Sequence, residues 1–190
     1  LHFVGLTHFF DNALGGSLHG TSQAGLTDFG REVVKRAAQL EMTIDIAHVA
    51  PAAVPEILAL SSRPVILSHG GFKGACDTDR NLSDALMVEM AEAGGIIGVG
   101  YWDGAVCDAT PLGIVRVIRY GIELLGLEHI ALGSDYDGTV ATPFDTAELA
   151  ILTQTMLDEG FTEQEIRAVM GGNMQRFLLE QLPAASQAIN

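Results

Sequence analysis

The stretch TIDIAHVAPAAVPEILALSSRPVILSH, Thr43–His69, contains two short apolar runs, and each stops on a histidine. A run of that length ordinarily ends in a turn signal, so an imidazole at both ends points to chemistry at the strand tips. Between the runs, Ala50–Pro51 supplies a start signal for the helical stretch AAVPEILALSS. Strand, helix and strand, with both strands apolar, is a βαβ unit, which builds a parallel sheet covered by helices. The same habit extends outward. Upstream, HFVGLTH ends on His8, and downstream HIALGSDYDG leads to Asp135 and Asp137.

Working outward from that unit, strands are expected at His2–Thr7, Met42–Ala47, Pro64–Ser68, Gly95–Tyr101 and His129–Ser134. Thr27 can cap a helix over DFGREVVKRAAQLE, and Ser83 can cap DALMVEMAEAG, which ends at Gly94–Gly95. Thr110 followed by Pro111 opens LGIVRVIRYGIELLG. A helix is expected near Asp145–Glu159, and TEQE at Thr162–Glu165 is a capping box opening a last one. A closed (β/α) barrel and an open doubly wound sheet both fit this alternation. The glycine fingerprint of dinucleotide-binding sheets is absent, since GGSLHG lacks its spacing. Active residues at the carboxyl ends of successive strands are the barrel habit. Five strands fall short of the roughly eight a closed barrel takes, so the fold class is α/β, an incomplete barrel comprising about its last five strands and C-terminal helices.

The chain has 190 residues, 48% of them hydrophobic, which suits one domain over 1–190 with a sizeable core. No apolar stretch approaches the roughly 18 residues of a membrane span. A net charge of −14 with only ten Lys and Arg argues against a nucleic-acid partner. Cys76 and Cys107 are too few for a disulfide scaffold and match no zinc-finger spacing. They fall in neighbouring rim loops, where a bond between them would accompany export to an oxidising compartment. The chain opens at Leu1 on a strand-like run with no initiator Met, and reads as a segment of something longer. That leaves cytoplasmic and exported locations open, with a lean to the cytoplasm.

By strand alternation His48 shares a face with Ile46 and Ile44, His69 with Leu67 and Val65, and His8 with Leu6 and Val4. If those aliphatics fill the barrel interior, the imidazoles sit on top of it and point to its axis. Parallel strands lie about 4.8 Å apart, so His48 and His69 can converge on one metal ion. A single histidine there is more simply satisfied by a loop carbonyl; the pair favours metal. His8 is a third ligand or a donor that polarises a substrate carbonyl. Asp135 binds metal or takes a proton from an attacking water. Asp137 can be a turn former in DYDG. Asp45 points away from His48, toward the helices, as a structural or outer group. Arg80 either pairs with Asp77 or Asp79 at the surface, or grips a substrate carboxylate with its fork. His2, His19 and His129 lack this context and are read as structural.

Taken together, GLTHFFDN, GLTDFGREVV, IDIAHVAP, VILSHGG, CDTDRNLSD, GGIIGVGY, LGSDYDG and VMGGNMQRF resemble, in order, the later landmarks of the membrane (renal-type) dipeptidases. The resemblance implies a zinc metallopeptidase on a (β/α) barrel of the amidohydrolase kind, with two zinc ions in the complete protein. It implies that His48 and His69 are ligands of one zinc. His8 would bind substrate and steady the tetrahedral intermediate, Arg80 would receive the carboxylate of a dipeptide, and Asp135 would shuttle the proton. That family holds its other zinc with an HxD motif on the first strand and bridges both with a Glu on the third. This chain has no HxD and no acidic residue before His8. Those ligands are expected in a missing N-terminal portion. GGNMQRF is looser than the family's usual ending. The expected function is dipeptide hydrolysis by metal-activated water, with a small dipeptide as partner and room for a homo-oligomer. Another metal-dependent amidohydrolase, a lactonase or deaminase, and a catalytically silent fragment needing an N-terminal partner are the alternatives.

Overall fold

The computed structural model describes residues 2–182. β1 (Phe3–Gly5), α1 (Asp28–Gln39), β2 (Thr43–Asp45), α2 (Val54–Leu60) and β3 (Ile66–Gly70) alternate along the first part of the chain. They continue through α3 (Asp84–Glu92), β4 (Ile96–Val99), α4 (Asp103–Val106), α5 (Pro111–Leu125) and β5 (Ile130–Leu132). α6 (Ala150–Asp158), α7 (Glu163–Arg167) and α8 (Asn173–Gln181) follow. The strands pair in parallel in the order β1-β2-β3-β4-β5, leaving β1 and β5 as edges of an incomplete barrel.

The start signals do what their chemistry allows. Thr27, Ser83 and Thr110 accept from the backbone N–H groups of Gly30, Leu86 and Gly113, satisfying donors with no partner inside the helix. Thr162 and Glu165 form the reciprocal capping box. Asp145 caps a short 3₁₀ turn, Thr146–Glu148, ahead of α6. The last helix is not continuous, as the sequence had suggested: a π-turn over Ala168–Gly172 separates α7 from α8. Gly171–Gly172 weakens the helix there. The break also seats buried Asn173, whose Nδ2 donates to Leu127 O and Ile130 O at the entry to β5, 2.7 Å each. α4 was not expected from sequence.

The two sheet faces carry different loads. Ile44, Ile46, Val65, Leu67, Ile97, Val99 and Ile130 pack against Val34, Val54, Ile57, Met87, Met90 and Ile114, so α1, α2, α3 and α5 cover one face. This excludes the doubly wound form. It also corrects the assignment of faces, because Ile44, Ile46, Val65 and Leu67 meet the helices and do not fill the barrel interior. The interior face carries Phe3, Ile66, Ile96 and Ala131, covered by Met174 and Phe177 of α8. Asp45, between Ile44 and Ile46, is therefore on the interior side rather than the helix side. Its Oδ1 accepts from the N–H groups of Ala47 (3.0 Å) and Ser68 (3.1 Å).

Candidate metal centre

Two local irregularities decide where the histidines go. Leu67 pairs with Ile97 and Gly70 with Val99, so Ser68 and His69 together oppose Gly98 alone. That is a β-bulge, and the extra residue reverses the alternation beyond it. His69 thereby leaves the helix side, where Leu67 lies, and turns to the interior. His48 lies three residues beyond β2 with φ +63°, in the left-handed region that costs a non-glycine residue about 1 kcal/mol. Its carbonyl accepts from Leu18 N (2.8 Å) and Thr7 Oγ1 (2.9 Å), which hold it there.

The result is a close pair, His48 Nε2 to His69 Nε2 at 2.9 Å. Ser68 Oγ meets His69 Nδ1 at 2.8 Å, fixing the ring so that Nε2 faces its partner. His48 Nδ1 is buried with no hydrogen-bond partner among the described residues. The His8 ring lies 4.5 Å from that of His48, centroid to centroid. Asp135, itself left-handed at φ +55°, brings Oδ1 to 3.9 Å from His69 Nε2. Gly138 follows because any Cβ there would sit 2.3 Å from the Asp135 carboxylate. Asp137 is exposed on the same turn and also lines the site.

Arg80 does not pair with Asp77 or Asp79. Asp77 is taken by Lys73 at 3.6 Å, and no carboxylate among the described residues forms a salt bridge with the guanidinium. Its Nη2 donates to His69 O (2.9 Å), and the group lies 5.5 Å from the centre of the Trp102 ring. The loop bearing it is anchored by the Cys76–Cys107 disulfide (Cα–Cα 5.5 Å), a bond that the sequence left open. Thr78 Oγ1 donates to Gly104 O (2.6 Å) beside it.

His19 is the residue that sequence reasoning misplaced. It is not remote: its ring lies 5.3 Å from that of His48 and lines a small cavity of about 90 Å³ with His8, Phe9, Arg80, Trp102 and Asp135. A larger cavity of about 590 Å³ opens over His8, His48, His69 and Asp135. The signal for His19 lay in its loop, where Asp11 precedes a run of Gly, Ser and Thr whose N–H groups it can gather. His129 is structural, its Nδ1 meeting Gly95 O at 2.8 Å.

Burial, then the charges of Arg80 and His69, push His48 down to about 3. His69 is lowered by burial and by Arg80, against the opposing pull of Asp135 and Asp45. Burial also lowers Arg80 and His19, the latter with help from Arg80. Unprotonated imidazoles are the form that binds metal. Two converging ring nitrogens fit zinc but make up about half of a four-donor set. Among the described residues, no three His, Cys, Asp or Glu side chains converge closely enough to hold a metal ion by themselves.

The sequence matches the model of the membrane dipeptidase family (peptidase family M19) over residues 1–189, and the chain belongs to that family. It is 30% identical over 187 residues to a Klebsiella pneumoniae protein known as an uncharacterized protein in pqqA 5'region, covering 93% of this chain and 69% of that one. It is 30% identical over 162 residues to mouse (Mus musculus) dipeptidase 3, covering 82% of this chain and 33% of that one. Its fold is similar to that of a metallo peptidase from Rhodobacter sphaeroides liganded with a phosphinate mimic of the dipeptide L-Ala-D-Ala. The TM-score is 0.83 at 22% identity, over 96% of this chain and 56% of the other. The chain thus spans about a third of the mouse protein and just over half of the Rhodobacter one.

Proposed function

We propose that this chain forms the C-terminal part of a zinc-dependent dipeptidase and carries half of its metal centre. The observation that carries the reading is the 2.9 Å approach of His48 Nε2 to His69 Nε2, with Asp135 Oδ1 3.9 Å from the latter. Family membership and the dipeptide mimic in the Rhodobacter neighbour support the substrate class. His48 and His69 hold one of two zinc ions in this reading, and the carboxylate donors come from polypeptide that completes the barrel. Zinc, when bound, supplies a Lewis acid that makes water nucleophilic near neutral pH.

The chain's own groups do the rest. Asp135 takes the proton from the attacking water and returns it to the leaving amine. His8 donates to the carbonyl oxygen as charge develops on it. Arg80, with no carboxylate partner among the described residues, receives the substrate carboxylate. That last role separates a dipeptidase from a lactonase or deaminase on the same barrel. The test is hydrolysis of a dipeptide and of its C-terminal amide by the complete protein, with and without Arg80→Ala. The substitution should impair the free acid strongly and the amide little; equal losses would favour another amidohydrolase.

A further inference from the structure

The loop from β1 to α1 delivers one more imidazole to the site than the proposed chemistry uses. That loop is tightly fixed. Asp11 accepts from the N–H groups of Ser17 (2.8 Å), Thr21 (3.0 Å) and Ser22 (2.9 Å). Gln23 Nε2 donates to Leu18 O (3.0 Å) and Gly20 O (2.9 Å), on either side of His19. Leu18 N donates to His48 O, and Ala50 N to Gly16 O (3.0 Å), so the loop is tied to the segment that bears His48. Ser17 Oγ donates to the carbonyl of His8.

His19 is therefore held at the mouth of the site, with its ring 5.1 Å from that of Phe9. Its backbone N–H donates to Ser17 Oγ (3.1 Å), but its ring makes no hydrogen bond to a described residue. Arg80 enters the same small cavity, and among the described residues only one of its five N–H groups finds an acceptor, His69 O. A carboxylate offers about four lone-pair sites, and a guanidinium fork fills only two of them. Phe9 and Trp102 line that cavity and limit the water able to satisfy the others.

We infer that His19 is a substrate-positioning residue, whose imidazole donates a hydrogen bond to the same substrate carboxylate that Arg80 neutralises. This inference rests on the dipeptidase reading. It makes the carboxylate subsite two-sided, built from the β3–α3 loop and the β1–α1 loop together.

The experiment uses the complete, zinc-loaded protein as wild type, His19→Ala and His19→Gln, with a dipeptide and its C-terminal amide as substrates. His19→Ala should raise KM for the free acid about tenfold and leave kcat within about twofold. KM for the amide should stay within about twofold, and His19→Gln, which keeps an N–H donor, should recover most of the loss. Zinc content and Tm should be equal in all three. A fall in kcat at constant KM, equal losses on acid and amide, altered zinc content, or no change in KM overturns the inference. If the wild type hydrolyses no dipeptide, the dipeptidase reading falls by that result. Calorimetric binding of the dipeptide and its amide to wild type and His19→Ala then decides the role of His19 separately. Weakening confined to the acid supports it, and any other pattern, including no binding, overturns it.

Discussion

His48 combines three properties that rarely meet in one residue: burial, a left-handed backbone and a ring nitrogen 2.9 Å from another imidazole. Its folded-state pKa of about 3 lies below the ordinary 6.5, so between these values the unfolded chain binds more protons than the folded one. This contribution to stability is fully present above about pH 6.5 and is lost as the pH falls toward 3. Metal-free protein should therefore show a Tm that drops by several degrees between pH 7.5 and 4.5, and His48→Asn should flatten that drop. Asp11 and Glu165, whose carboxyls are held low by backbone hydrogen bonds, act in the same direction but at more acid pH. A Tm that is constant or rises on acidification across this window would contradict the assignment. In the complete protein, His69→Ala should remove metal and activity together. Asp135→Asn should keep the metal and lower kcat about a hundredfold or more, which metal analysis beside a dipeptide assay resolves. His8, His48, His69 and Asp135 could be singled out as candidates because polar residues of metal-binding type follow apolar runs, whereas Arg80 lies in a loop, where only the family resemblance favoured a carboxylate fork over a surface ion pair. The orientation of these side chains was not legible. Alternation assigned His48 and His69 by counting from aliphatics that face the helices, and a left-handed turn and a bulge brought both rings to the site by another route. His19 was missed because its neighbours are set by a folded loop, not by spacing along a strand.

At the scale of elements, β3 is the piece on which the site depends. Its bulged carbonyl, Ser68 O, projects toward β4 and β5, and a Cβ on Gly98 or Gly133 would lie 2.3 Å from it. Both glycines are thus required by close approach of backbone to backbone. Gly98→Ala should destabilise the fold by about 1–3 kcal/mol and loosen the His69 geometry, read as a lower Tm together with weaker zinc retention. A tolerated alanine with unchanged metal content would show that the bulge does not aim His69. The disulfide acts on the neighbouring loop. Cys76→Ser with Cys107→Ser should cost about 2–4 kcal/mol and raise KM for free-acid dipeptides more than for amides, because the loop it anchors carries Arg80. The caps on α1, α3, α5 and α7 were readable from local chemistry, since each needs only a side-chain oxygen two or three residues ahead of a free N–H. The division of the last helix was not, because Asn173 answers to carbonyls of Leu127 and Ile130, far away in sequence.

The described residues form five parallel strands with two open edges, β1 and β5, with α1, α2, α3 and α5 on the outer face and α8 against the inner one. The fold class followed from repetition, since one βαβ unit read correctly implies the next. What repetition cannot supply is the other half of the ligand set. Two imidazoles alone should bind zinc weakly, so the isolated 190-residue chain is expected to retain little metal and to hydrolyse no dipeptide. The most direct test of the proposed centre is the zinc content of the complete protein, determined for the wild type and for His69→Ala after equilibration against a weak chelator. Two zinc ions per chain in the wild type, with loss of at least one in the variant, is the predicted result. Unchanged zinc in His69→Ala, or two zinc ions held by the 190-residue chain alone, would contradict it.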